Sequence, residues 1–91
     1  MDNLDHLIET LEILRDGVRS SDQEKAQEAI TILLLQCTEQ WGGTELFSKL
    51  LPTLETAKGF IDVCDFDEAE VYVLALLAKF RQVNKRMQGL Q

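Results

Sequence analysis

The sequence predicts an all-α chain of four helices folded as two related antiparallel helical hairpins, either stacked on each other or closed into a four-helix bundle. Three observations predict it. Apolar residues recur at three- and four-residue steps through four segments. Helix start and stop residues separate those segments at Ser21, at Gly42-Gly43 and at Asp65. The second half of the chain repeats the first at an offset of 43 positions, Leu11 falling on Leu54. With 91 residues, 45% of them hydrophobic and 27% charged, the chain has the size and composition of one globular domain spanning 1–91. Hairpin 1 is expected over about 3–41 and hairpin 2 over about 44–87.

In the first segment Leu4, Leu7, Ile8, Leu11, Leu14 and Val18 form one apolar stripe, with Glu9, Glu12 and Arg15 on other faces. Ser21-Asp22-Gln23-Glu24 then has the spacing of a capping box, in which a serine hydroxyl and a glutamate three residues on satisfy each other's free amides. The second helix carries Ala26, Ala29, Ile30, Leu33, Leu34 and Cys37 toward Trp41. It meets Gly42-Gly43, a pair that suits a helix end far better than a helix interior.

Thr44 is a candidate N-cap for the third helix, which repeats Leu46, Phe47, Leu50, Leu51, Leu54, Ala57, Ile61 and Cys64. Pro52 lies inside it. An interior proline removes an amide donor and crowds the preceding turn, so the segment either kinks near Lys49 to Leu51 or divides into two helices. Asp65-Phe66-Asp67-Glu68 is a second candidate capping box, opening a fourth helix that runs to about Met87. From Val71 to Ala78 that helix is apolar nearly all round.

The offset holds across both helices of each hairpin. Leu7 falls on Leu50, Val18 on Ile61, Asp22 on Asp65, Ala26 on Ala69, Ile30 on Val73 and Leu33 on Leu76. Coincidence of the interhelix turn, its aspartate and the following alanine says more than the apolar pairs do, because amphipathic helices match one another readily.

The segment Cys64-Asp65-Phe66-Asp67-Glu68-Ala69, with Val73 and Leu76 after it and Ala57 and Phe60 before it, resembles the middle of a tetratricopeptide repeat. The resemblance covers mainly residues 57–77 and implies antiparallel helices brought close by a small alanine. The chain departs from that family in its period, 43 against 34, in Thr53 where a large aromatic is usual and in Leu76 where alanine is usual. The same turn is also similar to the closing helices of bacterial histidine-phosphotransfer domains.

Charge narrows the function. Sixteen acidic residues against nine basic ones give a net charge of −7, which repels a phosphate backbone and an anionic membrane alike, so neither nucleic acid nor membrane is an expected partner. Lys79, Arg81, Lys85 and Arg86 stand near the C-terminus, where cations complement the negative end of a helix. The N-terminus has no basic and apolar leader, and the longest apolar run, Val71 to Ala78, is far shorter than the roughly 20 residues of a membrane span. A cytoplasmic location is the expectation. Cys37 and Cys64 share no motif with each other or with His6, and each reads as a small buried apolar residue.

No catalytic pattern emerges, and the chain is expected to be no enzyme. His6 is the one candidate for acid–base work or phosphotransfer, but it lacks the lysine and glycine that follow a phosphorylated histidine in phosphotransfer domains. Gly42-Gly43 lacks a phosphate-loop lysine, and the carboxylates Asp65, Asp67, Glu68 and Glu70 read as a solvated helix start without calcium-loop spacing. No cofactor and no metal are implied. What remains is protein binding: a small adaptor or chaperone that binds a partner helix or peptide, with a regulatory domain related to phosphotransfer modules, or a structural subunit of a larger assembly, as the alternatives. Two hairpins cannot easily cover an all-apolar helix, so Val71, Leu74, Ala78, Phe80, Val83 and Met87 are the expected interface, toward a protein partner or a second copy in a two-fold homodimer.

Overall fold

The computed structural model describes the backbone of residues 4–89 and the side chains of residues 4–86. Four helices follow in order, α1 (Leu4–Arg19), α2 (Gln23–Trp41), α3 (Glu45–Asp62) and α4 (Phe66–Gly89). This is the expected all-α fold. Each helix packs mainly on two others: α1 on α2 and α4, and α3 on α2 and α4. In a row of hairpins α1 and α4 would lie far apart; here they touch, and the ring closes as a four-helix bundle. The stripes meet inside, where Leu7, Leu11, Leu14, Ile30, Leu33, Leu54, Ile61, Val73, Leu76 and Phe80 are buried.

The first and third connections are three residues each and have the same geometry at the 43-residue offset. Ser21 (φ 56°) and Cys64 (φ 61°) take the left-handed conformation that ends a helix. Ser21 N–H donates to the Val18 carbonyl at 3.1 Å and Asp22 N–H to the Gly17 carbonyl at 2.8 Å; Cys64 N–H donates to Ile61 at 3.0 Å and Asp65 N–H to Phe60 at 2.8 Å. Each aspartate then caps the next helix, Asp22 Oδ1 accepting from Lys25 N–H at 3.1 Å and Asp65 Oδ1 from Glu68 N–H at 3.4 Å. The expected capping box on Ser21 is therefore corrected. Ser21 is consumed in terminating α1, and the cap moves one residue on to Asp22. The return arm of the second box is also missing, because the Asp65 amide that Glu68 would accept from is already bonded to Phe60.

At the opposite end of the bundle, Gly42 and Gly43 link α2 to α3. A Cβ on Gly42 would lie 2.4 Å from the Thr38 carbonyl oxygen, and Gly43 has φ 83°, so neither position suits a side chain. Thr44 caps α3 as expected, its hydroxyl accepting from Phe47 N–H at 3.2 Å. Pro52 neither ends α3 nor divides it. The carbonyl it leaves without a donor belongs to Ser48, and both residues are exposed, so water can take the missing place.

Small residues set the spacing of hairpin 1. A Cβ on Gly17 would stand 3.0 Å from the Ala26 backbone nitrogen, so α1 and α2 run almost backbone to backbone near their turn. Hairpin 2 has Phe60 and Tyr72 at the positions of Gly17 and Ala29, stacked with centroids 5.7 Å apart.

Two stability predictions follow from these turns. Ala26 and Ala69 are fully buried, so Ala26→Leu or Ala69→Leu is expected to cost about 1–3 kcal/mol in urea unfolding through overpacking. Ser21→Gly and Cys64→Gly are each expected to stabilise by about 1 kcal/mol, because glycine accepts the left-handed conformation without the Cβ penalty. Loss of stability in both glycine variants would contradict the turn geometry.

Candidate interaction surface

The nearly all-apolar stretch of α4 divides cleanly once the helix is seated. Ala69, Val73, Leu76, Leu77 and Phe80 point into the bundle. Val71, Leu74, Ala75 and Ala78 point away from it, with Val71 59% and Leu74 41% exposed. These positions recur at three- and four-residue steps and so form one outward stripe, continued by Gln82 and Lys85. Ion pairs flank the stripe: Arg19 Nε donates to Glu70 at 2.6 Å and Arg81 to Glu12 at 3.2 Å, both joining α4 to α1. On the other flank Tyr72 stacks on Phe60 of α3.

Of the six interface residues expected from the sequence, Val71, Leu74 and Ala78 stand together on this outer stripe. Phe80 does not. It is fully buried and meets Trp41 edge to face, centroids 5.5 Å apart, closing the core between α2 and α4. Val83 is half-buried against the core, and the Met87 side chain lies outside the described residues. Ala75 belongs to the same stripe, beside Leu74 and one helical step from Val71 and Ala78, although it is not among the six residues expected there. Two shallow depressions border the stripe, one lined by Ala75, Ala78, Lys79, Arg81, Gln82 and Lys85, the other by Lys49, Leu50, Thr53, Ala75, Leu76 and Lys79 between α3 and α4.

Large apolar side chains are exposed on the first hairpin as well, Ile13 on α1 and Ile32 and Leu35 on α2. The 43-residue offset relates Ile32 to Ala75 and Leu35 to Ala78, so the outer faces of α2 and α4 are equivalent positions filled with large and small residues respectively.

The groups that chemistry would need are scattered. His6 is exposed and borders a cleft of about 250 Å³ with Leu7, Gln36, Glu39 and Gln40. No lysine or arginine lines that cleft among the described residues, so a phosphorylated His6 would face Glu39 with no cation to offset it. Gln36 Oε1 is buried there without a hydrogen-bond donor. Cys37 is buried in the core as expected, and burial pushes its thiol up to about 12. Cys64, expected to be buried as well, is exposed, because α3 ends at Asp62 and Cys64 takes the left-handed position of the third turn. The Asp62 carboxyl is held below the usual carboxylate range by hydrogen bonds from Lys58 and Gln27. Among the described residues no three histidine, cysteine or acidic side chains cluster in a way that could hold a metal ion, and no helix is long and apolar enough to cross a membrane.

No family model matches the chain, and no curated protein or solved structure matches it either.

Acetyl phosphate is expected to leave the chain unlabelled when the intact mass is read under non-acidic conditions. A gain of one phosphoryl group that Gln at position 6 abolishes would place His6 in phosphotransfer instead. The thiols give a sharper test of the core. Cys64 is expected to react at once with a thiol reagent at pH 8, and Cys37 only on unfolding. Because the folded Cys37 thiol titrates above its ordinary 9.0, its neutral burial stabilises the fold fully below pH 9 and progressively less as pH rises toward about 12. Rapid labelling of both cysteines in the native protein would contradict this packing.

Proposed function

We propose that this chain is a non-catalytic protein–protein interaction module, a small adaptor or chaperone whose docking surface is the outer face of α4. One observation carries the reading: Val71 and Leu74 are exposed on a continuous stripe with Ala75 and Ala78, although the same helix buries a complete apolar face on its other side. A helix that packs into a bundle needs only one apolar face. A second one, along a helix of 24 residues, lowers solubility unless another protein covers it. The apolar–small pattern suits a helical occupant, since alanines at successive turns let a second helix approach closely while Val71 and Leu74 supply contact area.

The likeness of residues 57–77 to a tetratricopeptide hairpin supports binding of the same general kind. Because the four helices close into a ring instead of stacking as a row of hairpins, the reading puts the contact on the outer face of α4 and not in a concave channel. A cytoplasmic location and the absence of catalysis belong to this reading as expectations.

Val71→Glu combined with Leu74→Glu replaces exposed side chains, so the bundle is expected to keep its helical circular dichroism and its melting temperature within a few degrees. Affinity capture from the native host with the tagged wild-type chain, run beside this double variant, tests the reading. Proteins retained by the wild type and lost with the variant support it. Retention that does not change between the two removes the outer face of α4 as the docking surface.

A further inference from the structure

Charge along α4 is ordered, and the order carries more than the stripe alone. The first turn holds Asp67 and Glu68, and the last described turn holds Lys85 and Arg86; no acidic residue follows Glu70. Asp67 and Lys85 are eighteen residues apart, as are Glu68 and Arg86. At about 3.6 residues per turn that is five whole turns, so each acid has a base on its own line of the helix surface, about 27 Å away. Between the two pairs lie Val71, Leu74, Ala75, Ala78 and Gln82, with Ala75 and Ala78 at the midpoint. All four charged side chains are exposed, and none of them has an ion-pair partner among the described residues. Of the other charges along this helix, Glu70 and Arg81 are both bound to α1, while Lys79 is exposed beside the stripe near its midpoint.

This arrangement complements itself in one orientation only. Two copies of the stripe laid parallel would set acid against acid and base against base. Laid antiparallel about a two-fold axis through the Ala75–Ala78 midpoint, the same edge of each helix faces the same edge of the other. Asp67 then meets Lys85 of the second copy and Glu68 meets Arg86, each contact occurring twice by symmetry. The alanines at the axis let the helices approach closely, and Val71 of each copy packs beside Gln82 of the other. The end of α4 is available for this, because Lys85 and Arg86 are both exposed and α4 has 24 residues against 16–19 in the other helices.

We propose that the occupant of the α4 face is a second copy of this chain, joined antiparallel through α4 in a two-fold homodimer with Asp67–Lys85 and Glu68–Arg86 contacts between copies. The proposal rests on the reading of that face as a protein-binding surface and names its partner. It also accounts for the large difference in charge along the chain. Residues 1–70 hold all sixteen acids, and the positive end of one α4 is drawn to the acidic start of the other.

Sedimentation equilibrium over a dilution series of the full chain tests the proposal through paired charge reversals. Wild type is expected to dimerise, with dissociation favoured by added salt as exposed charges are screened. Asp67→Lys with Glu68→Lys gives a helix basic at both ends, and Lys85→Glu with Arg86→Glu gives one acidic at both ends. Each variant alone is expected to weaken its own dimer by about tenfold or more. An equimolar mixture of the two is expected to restore association as a one-to-one heterodimer, because every contact again joins opposite charges. All four positions are exposed, so circular dichroism should report folded chains throughout.

Recovery in the mixture supports the antiparallel pairing specifically, since a merely destabilised variant would not be rescued by its counterpart. A wild type that stays monomeric to hundreds of micromolar overturns the proposal, as does a dimer indifferent to both reversals. If the chain is monomeric and the Val71→Glu, Leu74→Glu variant still loses a captured protein, the second copy is excluded and the α4 docking surface stands. If capture is also unchanged, both readings fall.

Discussion

The structure depends on one device, a left-handed residue followed by an aspartate that works in both directions. In each hairpin the aspartate amide closes the helix behind it, and its carboxylate opens the helix ahead. One residue thus satisfies an orphan carbonyl of one helix and an orphan amide of the next. The connection shrinks to three residues, and with so little chain between them the helices have no choice but to lie antiparallel and adjacent. The cost is a non-glycine residue held at positive φ twice in the molecule, at Ser21 and Cys64. Burial of Val18 and Ala26 beside one turn, and of Ile61 and Ala69 beside the other, holds the strained residues in place.

Two such hairpins then close on each other as near equivalents. The contact of α1 with α4 corresponds to the contact of α3 with α2, and the polar links follow the same exchange. Arg19 with Glu70 on one side occupies the positions of Asp62 with Gln27 on the other, where Gln27 donates to Asp62 Oδ1 at 3.1 Å. That is the pattern of an internal two-fold, and it is why the bundle is a ring. Where the halves differ, the difference is in size. Gly17 and Ala29 bring α1 and α2 together, while Phe60 and Tyr72 hold α3 and α4 apart at the same positions.

Much of this was legible in the sequence. Helix number, order and turn positions followed from periodicity and punctuation, and the core stripe of α1 was right at every buried leucine, because an amphipathic period is a direct image of which side faces water. Two turn details were not legible. The cap at Asp22 was assigned to Ser21, since both can accept from an amide and only the φ of Ser21 decides between them. Pro52 could not be settled either, because the outcome turns on whether the Ser48 carbonyl faces solvent, a tertiary fact. Among the interface candidates the failure is instructive. Phe80 and Val71 are equally apolar on paper, and what separates them is the rotation of α4 about its axis, set by the burial of Ala69, Val73, Leu76 and Leu77 with Phe80 against the other helices.

The outer face of α4 nevertheless differs in its residues from that of α2. The two helices occupy equivalent places in the ring, so their outer faces should be interchangeable, and both do expose apolar residues. On α2 the residues are the large Ile32 and Leu35, set among Glu24, Glu28 and Glu39, with Lys25 at the start. Acid is present at both ends of that face, so two copies would repel in either orientation. On α4 the equivalent positions are the small Ala75 and Ala78, and the charges change sign from one end to the other. A face whose ends differ in sign is electrostatically complementary to its own reverse, whereas a face with acid at both ends is not. The proposed antiparallel pairing of α4 thus rests on divergence at a few exposed positions, with the turns and core left equivalent.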